Sequence, residues 1–374
     1  MTSGVVLEGA DGLTRPTRRE FGAYLGIGAS LGAGVLAGCS TESKGRADVV
    51  IPLSFDDLSG WADDDHATAM SVFLSTLDIA RAAPVGPVEV QDWRNLSNIA
   101  ARSRFASARG FFEALFTPVQ IGSDEALFTA YYEPEIAGAR ERGDHYQTPI
   151  YMIPPDLSPE TPYLTRADIA SGALANKGLE VFWLADPVEA FFLEIQGSGR
   201  IRLPDGTAAR VGFAGKNGHP YRAIGKVLVD RGEMTLADAS AQSIKTWLRA
   251  HADDAQDLMN MNPSYVFFTE RTELAGDSGP IGAMGAPVTA GRSLAVDPAF
   301  HPLGAPIWVE TDGEVATHAL MIAQDVGGAI KGAQRADVFV GSGDAAGEIA
   351  GPYRRGGRMV TLLPKPAAAR LLLA

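Results

Sequence analysis

Short apolar segments, most of them ended within a few residues by glycine or proline, make up much of this sequence beyond residue 126. In the middle of the chain they are LFTAYYEP, YQTPIYMIP, EVFWLADP, AFFLEIQGSG, RIRLPDG and RVGFAG; near the C-terminus they are SYVFFTE, APIWVET, HALMIAQD, DVFVGSG and RMVTLLPK. Segments of this length, either alternating or wholly apolar, are typical of strands in barrels and sandwiches. The pattern predicts a mainly β architecture with two β-barrel units.

Three longer stretches carry apolar residues at helical spacing: residues 62–82, 95–116 and about 221–257. We expect these to be helices packed on the outside of the barrels. A chain of 374 residues has room for two domains, and 46% hydrophobic residues suffice for two packed cores.

The charge balance excludes one class of partner. The chain has 32 lysines and arginines against 45 aspartates and glutamates, a formal net charge of −13. Nucleic-acid binding depends on neutralising phosphates with basic side chains, so no nucleic-acid partner is predicted. A polybasic patch that would hold the protein to anionic lipid is also missing.

An export signal is predicted at the N-terminus. Residues 21–38 form an uncharged run, which the pair Arg18–Arg19 precedes. A basic segment, an apolar segment and small residues at its end are the parts of such a signal. The arginine pair followed by Phe21 resembles a Tat signal more than a Sec signal, and either route stays open.

The single cysteine of the chain stands directly after that run. Leu36-Ala37-Gly38-Cys39 resembles a lipobox, which predicts an export signal over 1–38 and a lipidated tether over 39–50. Acyl chains on Cys39 would hold the protein to a membrane without spanning it. The alternative is a transmembrane helix, but the run is rich in glycine and alanine. Ser40 after the cysteine favours an outer-membrane lipoprotein facing the periplasm.

No metal or cofactor site is predicted. The six histidines are His66, His145, His219, His251, His301 and His318, and none is paired at the spacing of metal ligands. With one cysteine in the chain, a cysteine-based zinc site or an internal disulfide is excluded.

Two aspartates twelve residues apart are the strongest candidates for chemistry. Asp325 ends one apolar segment and Asp337 begins another, with the glycine-rich sequence VGGAIKG after the first. Glycines let a ligand approach the backbone closely, and an aspartate among apolar neighbours is expected to have a raised pKa and to serve as a general acid. The alternative is that both carboxylates only accept backbone N–H bonds in turns.

Six blocks between about Phe128 and Lys365 carry a resemblance to a known family. They are FTAYYEPEIAGAR, FFLEIQGSGRIRLPDG, VGFAGKNGHPYRAIGKVLVDRGEM, MNPSYVFFTE, AGRSLAVDPAFHPLGAPIWVET and IAQDVGGAIKGAQRADVFVGSG. In this order they resemble the membrane-bound lytic murein transglycosylase A family with its three-aspartate domain. The region 50–120 matches less specifically.

The resemblance implies a fold and a reaction. The fold is a double-psi β-barrel over 51–130 and 260–374, with a smaller β-barrel domain inserted at 131–259. The reaction cleaves the β-1,4 bond between N-acetylmuramic acid and N-acetylglucosamine of peptidoglycan strands and leaves 1,6-anhydro ends. The resemblance also leaves open whether cell-wall synthesis proteins bind this protein.

Roles also follow from the resemblance. Asp337 falls on the single catalytic aspartate, Asp325 on its close neighbour and Asp297 on the third aspartate. Without a second carboxylate acting on water, one group serves first as acid and then as base. If Asp325 activates water, the enzyme is a peptidoglycan hydrolase; a non-catalytic glycan-binding lipoprotein is the third reading.

Further residues are candidates for holding the sugar. Aromatic rings stack on pyranoses, and amides, hydroxyls and exposed backbone bond to sugar hydroxyls. Each candidate has a plainer explanation as strand packing, a tight turn, loop shape or solvated surface. The candidates are Tyr131, Tyr132, Glu133, Gln196, Gly197, Ser198, Gly199 and Asn217, followed by His219 and Tyr221. Lys331 and Arg335 are candidates for binding the peptide or lactyl carboxylates of the glycan strand.

Overall fold

The computed structural model of the protein describes residues 49–80, 88–102, 105–236, 238–272, 278–313 and 317–373. The predicted export signal, Cys39 and nearly all of the predicted tether lie outside these ranges. In the part described, no helix is both long enough and apolar enough to cross a membrane.

Fifteen strands occur within these ranges. In chain order they are β1 Val50–Pro52, β2 Phe116–Ile121, β3 Leu127–Glu133, β4 Glu135–Ala139, β5 Thr148–Tyr151, β6 Glu180–Leu184, β7 Ser198–Arg202, β8 Ala208–Lys216, β9 Val266–Glu270, β10 Ser293–Val296, β11 Pro306–Thr311, β12 His318–Val326, β13 Arg335–Ser342, β14 Arg354–Arg355 and β15 Gly357–Pro364.

These strands form two sheets. Within the described residues, the large sheet has the order β1-β2-β15-β11-β12-β10-β13-β3-β14 and the small sheet the order β5-β6-β4-β7-β8-β9. Most neighbours are antiparallel, whereas β10–β12, β13–β3 and β4–β7 are parallel. The prediction of a mainly β architecture with two β units and peripheral helices is confirmed. Among the described pairings, none joins the two edge strands of either sheet.

Helices surround the sheets. They are His66–Ala80, Val90–Arg102, Ala108–Leu115, Arg166–Ala170, Pro187–Gln196, Ile224–Asp230, Ala241–Ala250, Ala252–Asn260, Asp344–Ala350 and Lys365–Leu373, with 3-10 turns at Phe55–Asp57 and Trp61–Asp63. All three predicted helical stretches contain helices. The stretch 95–116 is divided because Ser107 begins a new helix, its Oγ accepting the N–H of Gly110.

The segment AFFLEIQGSG, predicted as a strand, is largely the helix Pro187–Gln196. Asp186 accepts the N–H of Val188, proline occupies the first turn, and Gly197 ends the helix with φ +76°. A short apolar run buried all round cannot be assigned to helix or strand by periodicity alone. The prediction of a strand was wrong, because the capping residues at the two ends of this segment favour a helix.

Both faces of the large sheet are buried. Trp308 on β11 belongs to the apolar cluster beneath the N-terminal helices, whereas Ile307 and Val309 belong to the cluster on the opposite face. This alternation is the two-residue period of a strand. Polar residues on the sheet are therefore withdrawn from water unless a gap in the packing exposes them.

The strand pairing divides the chain at slightly different points from the predicted domain boundaries. The predicted insertion covers 131–259, but β3 remains paired with β13 as far as Glu133, and β9 pairs with β8 in the small sheet. The strand pairing that begins at β4 therefore extends through Glu270. We propose residues 134 and 271 as the points at which the chain passes between the two units.

Candidate active site

Four strands of the large sheet carry a row of side chains in register. Asp337 on β13 lies opposite Thr129 on β3 and opposite Ala295 on β10, and Ala295 lies opposite Asp325 on β12. Side chains in register on neighbouring strands share a face of the sheet. Because Ala295 contributes only a methyl group, little side-chain volume separates the two aspartates.

A β-bulge on β12 turns Asp325 towards this row. Leu294 pairs with Ala323, but Ala295 pairs with Asp325, so Gln324 is one residue more than the partner strand has. Without the bulge, the two-residue period would put Asp325 on the same face as Ala323, inside the apolar cluster. The bulge therefore brings both carboxylates to one face.

Asp337 is almost completely buried and its carboxylate is held in place. It is 1% exposed. Its Oδ1 forms a very short hydrogen bond with the hydroxyl of Thr129. That hydroxyl oxygen also accepts a hydrogen bond from Nη2 of the buried Arg335 at 2.7 Å. Thr129 thus binds one carboxylate oxygen directly, and Arg335 holds the Thr129 hydroxyl in turn.

Asp325 is half-buried and accepts hydrogen bonds from three donors. Its Oδ1 accepts the backbone N–H groups of Ala283 at 2.8 Å and of Val326 at 2.9 Å, and its Oδ2 accepts the hydroxyl of Tyr131 at 3.1 Å. Burial raises the pKa of Asp325 to about 6, the three hydrogen bonds oppose this rise, and the nearby Asp337 adds to it. The carboxyl group therefore keeps its proton to a higher pH than an ordinary aspartate does.

The loop of residues 278–291 packs against Asp325. A Cβ placed on Gly282 would lie 2.6 Å from the backbone oxygen of Gln324 and 3.4 Å from Cβ of Asp325. A Cβ on Gly279 would lie 2.0 Å from the backbone oxygen of Val288. These glycines are needed because other backbone passes so close to them.

Glu133 links the two sheets. It is 1% exposed, and its Oε2 lies 2.8 Å from Nε of Arg200 on β7 and 3.6 Å from Nη2 of Arg210 on β8. Ser342 donates its hydroxyl to the same oxygen at 2.7 Å. Both arginines also donate to the backbone oxygen of Ser278, where the 278–291 loop begins. Sugar binding by Glu133 stays a prediction; in the structure its carboxylate forms these ion pairs.

The two tyrosines point to opposite sides of β3. Tyr131 reaches Asp325, and its ring lies 5.2 Å from that of Phe339 between centroids. Tyr132 packs on the apolar cluster of the large sheet, with its ring 3.0 Å from a Cβ placed on Gly347. The expectation that one of the two packs against the protein agrees with this arrangement.

Asp297 follows Ala295 by two residues, and its carboxylate accepts hydrogen bonds from the backbone. It is buried, accepts the N–H of Gly332 at 2.9 Å and of Ala299 at 3.2 Å, and lies 3.7 Å from Nζ of the exposed Lys331. Its carboxylate therefore fixes the turn after β10 and the end of the glycine-rich loop. Lys331 keeps most of its side chain in solvent.

The segment 196–199 joins the helix Pro187–Gln196 to β7. A Cβ on Gly199 would lie 2.5 Å from Cδ1 of Leu193, so close packing requires glycine here. Ser198 is half-buried. Oε1 of Gln196 is shielded from solvent and has no hydrogen-bond partner among the described residues.

Asn217 lies in the small-sheet unit and its amide is fully engaged. Nδ2 donates to the backbone oxygens of Leu164 and Pro263, both at 2.8 Å, and Oδ1 accepts the N–H of Tyr265 at 2.9 Å. His219 bonds the backbone oxygen of Tyr163 at 2.8 Å. The structure does not bring this pair to the row of Asp337.

Sequence reasoning missed three contributors. Thr129 contacts Asp337, Ala295 separates the two aspartates, and Ala283 donates its N–H to Asp325. The signal for Thr129 was its position as the polar residue within the apolar segment LFTAYY. The other two carry no distinguishing side chain.

Two carboxylates on one face, one of them buried and the other with a raised pKa, are equipped to move protons. Among the residues that the structure describes, no three His, Cys, Asp or Glu side chains are grouped so as to hold a metal ion. The fold and the site thus define a protein of two linked β sheets that carries a pair of carboxylates suited to acid–base chemistry.

Comparisons with known proteins identify the family. The model of the MltA specific insert domain matches residues 127–269, and that of the 3D domain matches residues 292–363. The membrane-bound lytic murein transglycosylase A of Escherichia coli (strain K12) is 37% identical over 256 residues, which are 65% of this chain and 67% of that protein. This chain belongs to the membrane-bound lytic murein transglycosylase A family and is a peptidoglycan lytic transglycosylase.

Solved structures agree with that assignment. The crystal structure of a membrane-bound lytic murein transglycosylase from Agrobacterium tumefaciens is 33% identical with a TM-score of 0.78, covering 86% of this chain and 99% of that one. The structure of E. coli MltA with bound chitohexaose is 29% identical with a TM-score of 0.69, covering 87% of this chain and 96% of that one. The similarity therefore extends over both sheets.

Proposed function

We propose that this enzyme cleaves the β-1,4 bond between N-acetylmuramic acid and N-acetylglucosamine without water, leaving 1,6-anhydromuramic ends, with Asp337 as the single acid and base. The burial of Asp337 in the row with Asp325 carries the proposal. Burial and a neighbouring carboxylate both favour the protonated form of a carboxyl group, which is the form that a general acid needs.

The proposed reaction has two proton transfers. Protonated Asp337 gives its proton to the glycosidic oxygen while the bond from that oxygen to the muramyl C1 breaks, which frees the C4 hydroxyl of N-acetylglucosamine. The muramyl C6 hydroxyl oxygen then bonds to C1, and its proton passes to the Asp337 carboxylate. The acid is restored and no water is consumed. The nucleophile belongs to the substrate, so its effective concentration is high without a second catalytic carboxylate.

The contacts of Asp325 favour an electrostatic role for this residue over the activation of water. Two backbone N–H groups and the Tyr131 hydroxyl already bind its oxygens. A carboxylate held in this way is a poor activator of water, which favours the transglycosylase over a hydrolase. Its charge would instead stabilise the positive charge that develops at C1.

The substrate would lie along the edge where the two sheets meet. The related E. coli enzyme has been crystallised with chitohexaose, a β-1,4-linked sugar chain. We propose that Tyr131 faces the sugar, and that a sugar hydroxyl satisfies Oε1 of Gln196, which has no donor among the described residues. Ser198 is the neighbouring hydroxyl. The other predicted substrate-binding residues would then support the structure around the substrate without contacting it. They are Tyr132, Glu133, Gly197, Gly199, Asn217, Asp297 and Lys331.

We also propose attachment to a membrane through lipid on Cys39, as an outer-membrane lipoprotein in the periplasm. The relatives are named membrane-bound, and the lipobox sequence ends at this cysteine. Cys39→Ser should release the protein from the membrane fraction. Continued co-sedimentation of that variant with membranes, after a high-salt wash, would argue against the lipid.

Product analysis tests the function. Purified peptidoglycan is digested with the enzyme or with Asp337→Asn, and the fragments are weighed by mass spectrometry. We expect anhydromuramic ends from the enzyme and a loss of at least about a hundredfold in rate for the variant, with glycan binding retained. Asp56→Asn, on an exposed turn, is the matched control. Reducing ends would indicate hydrolysis, with Asp325 as first suspect; binding without products would indicate a glycan anchor.

A further inference from the structure

Two buried side chains, those of Arg335 and Thr129, form a line with the proposed acid Asp337. Arg335 Nη2 lies 2.7 Å from Oγ1 of Thr129, and the same Oγ1 contacts Oδ1 of Asp337. All three side chains are buried, Thr129 completely. Nη1 of Arg335 also donates to the backbone oxygens of Leu127 and Ala336, so the guanidinium is held independently of Thr129.

The chemistry of these groups fixes the direction of each hydrogen bond. A guanidinium has donors and no acceptor, so the hydroxyl oxygen of Thr129 must accept from Arg335. A threonine hydroxyl has one hydrogen, which is then directed to Oδ1 of Asp337. The Thr129 oxygen has a second lone pair that could accept from Asp337, but the threonine hydrogen would then have no acceptor among the contacts of Thr129 that the structure describes. Oδ1 is therefore an acceptor in both protonation states of Asp337.

We propose that Thr129 is a positioning residue that assigns the transferable proton of Asp337 to Oδ2. In a carboxylic acid one oxygen carries the proton and the other accepts; Thr129 reserves Oδ1 for acceptance. This rests on the proposed role of Asp337 as acid and base. After the proton has left, the same hydroxyl stabilises the carboxylate, so the group is ready to accept the proton of the C6 hydroxyl through the same oxygen.

The pH dependence of the reaction reports this contact. The ionisable groups near Asp337 are Asp325 on β12, Tyr131 on β3 and Arg335 on β13, while Arg354 on β14 is in register with Thr129. None of these is changed by replacing Thr129 with a neutral residue. A shift of the pH profile in such a variant is therefore due to the lost hydroxyl and its two hydrogen bonds.

The test compares Thr129→Val with Thr129→Ser. Valine keeps the shape and removes the hydroxyl, whereas serine keeps the hydroxyl. Thr76→Val is the matched control, because Thr76 is also completely buried but donates to backbone oxygens in the helix His66–Ala80. Full-length protein in non-ionic detergent is assayed by release of soluble muropeptides from peptidoglycan, at saturating substrate from pH 4 to 9.

For Thr129→Val we expect the maximal rate to fall about tenfold, the half-maximal substrate concentration to stay the same, and the alkaline limb of the profile to move about one pH unit upward. The limb moves up because the charged carboxylate loses a donor while the protonated acid loses less. Thr129→Ser should remain within about twofold of the wild-type rate with an unmoved limb, as should Thr76→Val.

An unmoved alkaline limb in Thr129→Val, or an equal loss in Thr129→Ser, would overturn the proposal. If the far-ultraviolet circular dichroism of Thr129→Val is not that of the native protein, Thr129→Ala is read in the same assay by the same criteria. Asp337→Asn separates the two levels of the argument. Wild-type turnover in that variant refutes the acid itself, whereas an inactive Asp337→Asn with an unmoved limb in Thr129→Val refutes only the role of Thr129.

Discussion

Replacing Asp325 by asparagine is expected to stabilise the protein at neutral pH much more than at acidic pH. Burial raises the pKa of Asp325 to about 6, from 3.8 for an unperturbed aspartate. The native state therefore holds the proton more tightly than the unfolded chain does. This contribution to stability is complete below about pH 4 and is lost as the pH rises through about 6.

The size of the effect follows from the two pKa values. One unit corresponds to about 1.4 kcal/mol, so the ionised carboxylate costs the native state about 3 kcal/mol above pH 7. At pH 4.5 about 1 kcal/mol of this is already lost, because the unfolded chain ionises first. The difference between pH 4.5 and pH 7.5 is therefore about 2 kcal/mol. Asparagine has no such titration, and its oxygen still accepts the N–H groups of Ala283 and Val326.

The measurement is urea unfolding of the two proteins in non-ionic detergent at pH 4.5 and at pH 7.5. We expect the free energy of unfolding of Asp325→Asn, relative to wild type, to be about 2 kcal/mol higher at pH 7.5 than at pH 4.5. The new amide group loses the hydrogen bond from the Tyr131 hydroxyl at both pH values, so this cost cancels when the two pH values are compared. Asp56→Asn is the control for an exposed aspartate. An equal difference at both pH values would refute the reasoning that burial raises this pKa.

Three further outcomes are expected. Glu133→Gln leaves two arginines facing a neutral group and should lower the free energy of unfolding by about 3 kcal/mol, against under about 0.5 kcal/mol for Asp230→Asn in an exposed pair. Gly282→Ala places a Cβ 2.6 Å from a backbone oxygen and should lower stability by about 1–3 kcal/mol and slow turnover, whereas Gly143→Ala, with open space, should change neither. Burial lowers the pKa of His301 to about 4, so protonation of this residue should cost the native state about 2.5 kcal/mol more at pH 4 than at pH 6.5. The free energy of unfolding of His301→Gln, relative to wild type, should therefore be about 2.5 kcal/mol higher at pH 4 than at pH 6.5, and an equal difference at both pH values would contradict this.

The sequence allowed the general plan of the fold to be predicted, because strand ends are marked by glycine and proline along most of the chain. It did not separate the helix Pro187–Gln196 from a strand. The apolar residues of this helix face two clusters, Val188 and Phe191 one of them and Leu193 the other, so it lacks a polar stripe that would reveal its period. The strand pairing of β9 with β8 was likewise not available from local pattern.

The site was predictable in one part only. Asp325 and Asp337 could be selected as candidates because both flank apolar segments twelve residues apart, whereas their closeness was implied by the family resemblance and not by the local pattern. Thr129 is 208 residues from Asp337 and reaches it through the parallel pairing of β3 with β13. The bulge at Gln324 is also invisible in the sequence, although a strict two-residue period would have directed Asp325 away from Asp337.

The loop of residues 278–291 connects the small sheet to Asp325. Arg200 and Arg210, which belong to the small sheet, hold the backbone of Ser278, and five residues later Ala283 donates its N–H to Asp325. The same two arginines bind Glu133, two residues after Tyr131, which donates to the other oxygen of Asp325. Both routes from the small sheet therefore end on one carboxylate.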